Sequence, residues 1–259
     1  MKYFTFKSSI SSRTYLKFSY VSFLLISFIW CLLSYGKLID PFFLPSPTKV
    51  ISTVYLLFSQ HDLLIDIGIS IFRIIVAFTI SAIIAIPLGI FMSSFKPVEA
   101  IFEPPVDFIR YLPVPALVPL TILWFGIGET SKIFLLFVGT FFQLVLLVMD
   151  DANNVKKEYF EIAYTLGANT KDVMIRVLLP AVLPNIYDDL RITLGWCWTY
   201  LLIGEIVAAK AGLGHLIQEA QRFAKPEVVF SGILIIGLIG LLTDYCFKLF
   251  GKVFFKYLQ

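Results

Sequence analysis

Residues 161–180, EIAYTLGANTKDVMIRVLLP, form a polar, glycine-hinged interlude between two long apolar segments. Apolar residues three and four apart share a helical face, so 155–166 reads as a short helix with Phe160, Ala163 and Tyr164 on one side. Gly167 comes next, where a residue in the left-handed conformation closes a helix. Asn169 or Thr170 then offers a side-chain oxygen to cap a second short helix running to Leu179. Pro180 lacks a backbone N–H and marks where that helix kinks or ends. The unit is helix, elbow, helix: a handle rather than an anchor.

The chain around the handle belongs in a membrane. Of 259 residues, 58% are hydrophobic and 15% charged, with mean hydropathy +0.86; soluble domains carry roughly 25% charged residues. The formal charge of +3 is small and its basic residues are dispersed, which argues against a nucleic-acid partner. Cys31, Cys197 and Cys246 all fall in apolar segments and read as small buried hydrophobes. His61 and His215 are isolated, so no metal-ligand spacing emerges and no metal site is expected.

In chain order, a basic stretch (1–17) precedes an apolar run (18–35). That run is longer than a signal-peptide core and lacks a small-x-small cleavage site, so an uncleaved first span is expected. A proline-bearing linker (36–63) contains an amphipathic piece (48–58) with Val50, Val54, Leu57 and Phe58 at helical spacing, suited to an outer interface. The second span, 64–92, exceeds the bilayer thickness and contains Arg73, expected either near the interface, snorkelling, or inside the bundle. A polar connection (93–112) leads to a third span reaching Phe125 and interrupted by Pro113, Pro115 and Pro119. Carbonyls freed by prolines are tolerable beside neighbours or a water-filled cavity, which makes this span a candidate pathway wall. A GIGETS turn (126–131) precedes a fourth span, 132–149. After the handle come a fifth, 181–209, and a sixth, 228–250, whose Gly232, Gly237 and Gly240 offer small faces. The expected fold is all-α with about six transmembrane helices, divided into 1–62 and a five-helix core at 63–259.

Lys and Arg count orients the chain. Residues 1–17, 93–112, 150–180 and 248–259 hold thirteen, and the opposite loops, 36–63, 126–132 and 208–227, hold six. The positive-inside rule puts both termini and the handle in the cytoplasm.

The spacing Glu-x-Ala, three residues, Gly, nine residues, aliphatic, any residue, Leu-Pro resembles the EAA loop of ABC importer permeases. It is carried by Glu161, Ala163, Gly167, Val177, Leu179 and Pro180, with Ile162 in place of an Ala and Val177 in place of an Ile. The runs PPVDFIRYLPVPALVPLTILWFGIGETSKI (104–133) and LRITLGWCWTYLLIGEIVAAKAGLGHLIQEAQRF (190–223) are similar to permeases of the nitrate, taurine, aliphatic sulfonate and bicarbonate group. The resemblance implies a type I importer of the bacterial inner membrane: a second permease copy, a cytoplasmic ATPase pair that binds ATP and Mg, and a periplasmic or lipid-anchored binding protein. Phe160, Ala163 and Tyr164 become the knob seated in the ATPase, Glu161 a charge for a basic partner, and Gly167 the elbow.

Pathway candidates are Pro113, Pro115, Pro119, Arg191, Trp198 and Glu205, the last three on the fifth span. Each also has a packing reading: Trp in a span is often a belt or packing residue, and Arg191 and Glu205 sit towards opposite ends. The implied solute is a small anion such as taurine, an organic sulfonate, nitrate or bicarbonate; a pyrimidine vitamin precursor is the alternative within the family. No G-x-x-x-x-G-K-[ST] occurs, so the energy source is a partner and the chain is not itself an enzyme. An ion-coupled secondary transporter needs a coupling-ion site that the sequence does not display. A membrane enzyme has only the acidic pairs Asp150–Asp151 and Asp188–Asp189 to draw on, at span ends where solvated charges are normal.

Overall fold

The computed structural model describes residues 11–60 and 63–255; the start of the basic N-terminal stretch, His61 and the last four residues lie outside them. The described elements are helices: α1 Ser12–Tyr35, α2 Pro47–Gln60, α3 Leu63–Ser94, α4 Lys96–Arg110, α5 Val114–Phe125, α6 Glu129–Asn153, α7 Lys157–Thr165, α8 Thr170–Val173, a π-helical turn Met174–Leu178, α9 Leu179–Ala208, α10 Leu213–Arg222 and α11 Pro226–Phe254. Five are long and apolar enough to cross a membrane, or six if α4 and α5 together count as one broken span. The expectation of an all-α fold with about six spans therefore holds, the sixth being the broken pair α4–α5.

The chain forms two compact units. The smaller comprises the described residues up to 60 together with 220–231. Here the Trp30 indole donates to the Pro45 carbonyl at 3.0 Å and Tyr35 donates its hydroxyl to Thr48 Oγ1 at 2.9 Å, fastening α1 to the linker. Ser231 Oγ donates to the Val50 carbonyl at 3.2 Å, and Lys49 pairs with Glu227 at 3.4 Å. Val50 and Leu57 are the buried face of α2; Phe58, expected beside them, is exposed, because it has turned off that stripe. From Phe18 to Tyr35 the outward side chains of α1 are apolar apart from Ser22 and Ser27, as suits a lipid-facing helix.

The larger unit is built on α3, α6 and α9. Its core gathers Ala85 and Met92 of α3, Leu144, Val145 and Val148 of α6, and Val182 and Ile186 of α9. Close approach comes from small residues. A Cβ on Gly89 would sit 2.7 Å from the Val145 carbonyl oxygen, and one on Gly139 would sit 2.6 Å from the Tyr200 ring. Of the three glycines expected to offer small faces in the last span, Gly232 is used this way, with Ile217 at 2.6 Å from its Cβ position; Gly237 faces open space and Gly240 has nothing nearer than 4.0 Å.

Several expectations are corrected here. The connection 93–112 is largely helix α4, and α5 turns away from it by 102°. With twelve residues, α5 is about 18 Å long and cannot cross alone. The fourth span starts at Glu129, three residues early, because the turn is completed by Gly126, at φ 72°, through Gly128. Helix α10, absent from the sequence reading, follows α9. Pro180 does not end a helix: α8, the π turn and α9 run on from Thr170 to Val207. Pro180 cannot donate to the carbonyl four residues back, and the chain absorbs this one residue earlier, where the Leu179 N–H bonds Met174, five residues back.

Candidate coupling segment and buried ionic network

The handle folds by local rules. At the end of α7 the Ala168 N–H donates to the Ala163 carbonyl (3.0 Å) and the Gly167 N–H to that of Tyr164 (2.9 Å), the paired bonds of a Schellman stop. Gly167 takes φ 84°, and a Cβ there would meet nothing within 4 Å. Its glycine is required by backbone conformation, not by crowding. Asn169, not Thr170, is the cap: its Oδ1 accepts from the Asp172 N–H at 3.0 Å and its Nδ2 donates to Asp172 Oδ2 at 2.7 Å.

The helix faces divide differently from the sequence expectation. Phe160 packs inward against the core beside Val155 and Met174, and Ala163 is half-buried with it. Tyr164 is half-exposed and, with Phe160, lines a cleft reaching Val173 and Leu178. The exposed apolar side chains of α7 and its C-cap are Tyr159, Ile162, Tyr164 and Leu166, the last 82% exposed. Glu161 is exposed between them. Further on, Leu178 is buried, Val177 and Leu179 are half-buried and Pro180 is exposed.

The pathway candidates do not converge. Pro113, Pro115 and Pro119 are exposed along α5, whose buried residues are Val118 and Thr121. Arg191 pairs with Asp188 (3.3 Å) and with Asp244 of α11 (3.1 Å). Glu205 lies fourteen residues along α9, about 21 Å away. Trp198, between them, is buried, its indole N–H without a partner among the described residues.

Glu205 belongs to a network. Its side chain is 0% exposed; Oε1 accepts from Arg73 NH1 at 2.6 Å and from Ser70 Oγ at 2.8 Å, and Oε2 accepts from the Gly214 N–H at 2.7 Å. Arg73, 2% exposed, is not snorkelling: its charge is met by the fully buried Glu205 on one side and by the half-exposed Glu129 on the other. Its Nε and NH2 form a two-pronged bond to Glu129 at 2.6 and 2.7 Å, and NH1 also donates to the Ala211 carbonyl at 2.9 Å. Lys132 adds a contact to Glu129 at 2.9 Å, so two cations face two carboxylates. The following loop is threaded into this cluster. The Gly212 N–H bonds Asp66 (2.7 Å), the Leu213 N–H bonds Ser70 (3.0 Å), and a Cβ on Gly212, at φ 118°, would lie 2.5 Å from Glu205 Oε1.

Sequence reasoning singled out Arg73 and Glu205 but missed Asp66, Ser70, Glu129 and Lys132. A signal existed. Asp66, Ser70 and Arg73 stand at i, i+4 and i+7 of α3, a polar stripe on one face of an apolar span.

Residues 85–255 match the family model described as binding-protein-dependent transport system inner membrane component. The chain is 38% identical over 177 residues to a putative ABC transporter permease protein of Methanocaldococcus jannaschii, covering 68% of this chain and 66% of that one. It is 34% identical to the taurine transport system permease protein TauC of Escherichia coli (83% of this chain, 80% of that one). It is 31% identical to the putative aliphatic sulfonates transport permease protein SsuC of Bacillus subtilis (88% and 83%). Among solved structures, an inward-facing MetNI methionine ABC transporter chain superposes with TM-score 0.65 at 20% identity, covering 74% of this chain and 95% of that one. That last likeness speaks for the fold.

Proposed function

This chain belongs to the family of binding-protein-dependent transport system inner membrane components, the permeases of ABC transporters, and from that membership we propose that residues 157–180 are where it engages a separate cytoplasmic ATPase. The observation that carries the reading is the outward apolar set Tyr159, Ile162, Tyr164 and Leu166 on a short helix stopped by Gly167. Exposed apolar side chains of this size on a segment outside the apolar spans are suited to a protein partner. Glu161 adds a charge beside them for a basic residue of that partner.

The assembly proposed is two copies of this chain, two ATPase subunits that bind ATP and Mg, and a periplasmic or lipid-anchored binding protein. Both termini and the elbow face the cytoplasm, in keeping with the excess of basic residues in those loops. The solute class that the relatives' names support is a small organic sulfonate such as taurine. The chain contributes the spans, and selectivity is divided with the binding protein.

The test is affinity purification of the full chain in mild detergent, followed by identification of what comes with it. Recovery of a P-loop ATPase that is lost on Leu166→Glu supports the reading. Recovery of the chain alone, moving solute in liposomes without ATP, would replace it with an ion-coupled transporter.

A further inference from the structure

We propose that Arg73 is a positioning residue acting as a two-sided tie during transport: its bond to Glu205 persists while its bond to Glu129 opens, freeing the α5–α6 turn to move against a fixed block. The block is α3, the end of α9 and the loop 209–214. This rests on the permease reading above and adds to it the place where the spans part.

The two arms of Arg73 are unequal. Glu205 is fully buried and held by Ser70, Arg73 and the Gly214 N–H together. Arg73 is its ion-pair partner among the described residues, so losing Arg73 there strands a buried carboxylate. The loop that closes over it is bonded to Asp66 and Ser70 of α3, and at Gly212 and Gly214 it has no room for a Cβ. This side is built to stay.

Glu129 differs on every count. Its side chain is 50% exposed, it is the first residue of α6, and it follows a turn in which Cβ positions on Gly126 and Gly128 meet nothing within 4 Å. Separation leaves each charge a partner: Arg73 keeps Glu205 at 2.6 Å, and Glu129 keeps Lys132 at 2.9 Å. Two ion pairs replace one cluster, and water reaches the exposed carboxylate. A tie with these properties opens without stranding a charge, which the Glu205 arm cannot do.

The experiment uses the chain with its co-purifying ATPase in nanodiscs, on a background with Cys31, Cys197 and Cys246 changed to Ala. Spin-label pairs at Thr130→Cys/Lys210→Cys and Leu64→Cys/Lys210→Cys are measured with labelled copies diluted in unlabelled ones. All three positions are exposed. The 130–210 distance is expected to lengthen on trapping with Mg-ATP and vanadate while the 64–210 distance stays fixed. Glu129→Gln should shift the nucleotide-free 130–210 distribution towards the trapped one, whereas a purely structural role predicts no state dependence.

Both distances unchanged, or both changed alike, overturns the proposal, provided that vanadate trapping alters labelling of Ile162→Cys on α7. If labelling at Ile162 ignores nucleotide and no ATPase is recovered, the permease reading fails, and the tie with it.

Discussion

Replacing Arg73 with Met tests whether the ionic network holds the larger unit together. Methionine keeps much of the length and the apolar stem while removing the charge and four hydrogen bonds, two to Glu129, one to Glu205 and one to the Ala211 carbonyl. Glu205 then remains at 0% exposure with only Ser70 Oγ and the Gly214 N–H as donors. Breaking a buried pair in this way costs about 3–5 kcal/mol, a change of about 10² to 10⁴ in the folded-to-unfolded ratio. Glu205→Gln should fall in the same range, because its amide turns an NH2 towards donors. Glu129→Gln should cost at most about 1 kcal/mol, since that carboxylate is half exposed.

The assay is equilibrium unfolding of purified protein in mixed micelles titrated with SDS, read by tryptophan fluorescence. In the double variant Arg73→Met/Glu205→Gln both charges are gone, so its cost should fall short of the sum of the singles by about 0.5–3 kcal/mol. Single variants within about 0.5 kcal/mol of the parent, with strictly additive effects, would refute the view that the network is a coupled buried unit.

Other outcomes follow from named positions. Gly167→Val forces a β-branched residue into φ 84° and costs about 1–3 kcal/mol locally; membrane insertion should persist while ATPase recovery and solute-stimulated ATP hydrolysis fall. Leu166→Glu, at an 82% exposed site, should leave SDS resistance within about 0.5 kcal/mol and abolish ATPase recovery. Gly89→Val should fail to give folded protein by size-exclusion chromatography, because its Cβ would sit 2.7 Å from the Val145 carbonyl oxygen. Gly237→Ala, with nothing within 4 Å, should match the parent or gain up to about 1 kcal/mol. Thiol labelling of Ile162→Cys and Lys210→Cys from outside intact cells should reach position 210 and not 162.

What the sequence made legible was whatever depends on composition and short-range spacing. The spans follow from apolar length, and the elbow follows from Gly167 and Asn169, whose conformations and bonds are local. What it hid depends on partners far along the chain. Arg73 looked like a snorkelling cation because Glu129 and Glu205 lie 56 and 132 residues away. Pro180 looked like a stop because a proline ordinarily costs a helix one hydrogen bond, and the π register that absorbs the loss has no spacing signature. Phe160 looked like part of the outward knob because its neighbour Met174 arrives from beyond the elbow. The three α5 prolines, read from the sequence as a pathway wall, stand exposed along that helix, whose buried residues are Val118 and Thr121.

The elbow and the ionic network are the two ends of one helical run, and its construction divides into a soft part and a stiff part. From Thr170 to Val207 the chain is continuous for 38 residues, about 57 Å. Near the elbow it contains the π turn, Pro180 and Pro184, each removing or displacing a backbone bond. From Ile186 onward there is no proline, and Ile186, Thr193, Leu194, Cys197, Trp198 and Leu201 are buried. A load applied at α7 and α8 is expected to bend the run at 174–184, where backbone bonds are missing or displaced although Leu178 and Val182 are buried there, and to move the proline-free length beyond it more as a unit. This places the compliance of the proposed coupling segment beside the elbow and not at the network, which is where the proposed tie, with one permanent and one releasable arm, needs a firm support.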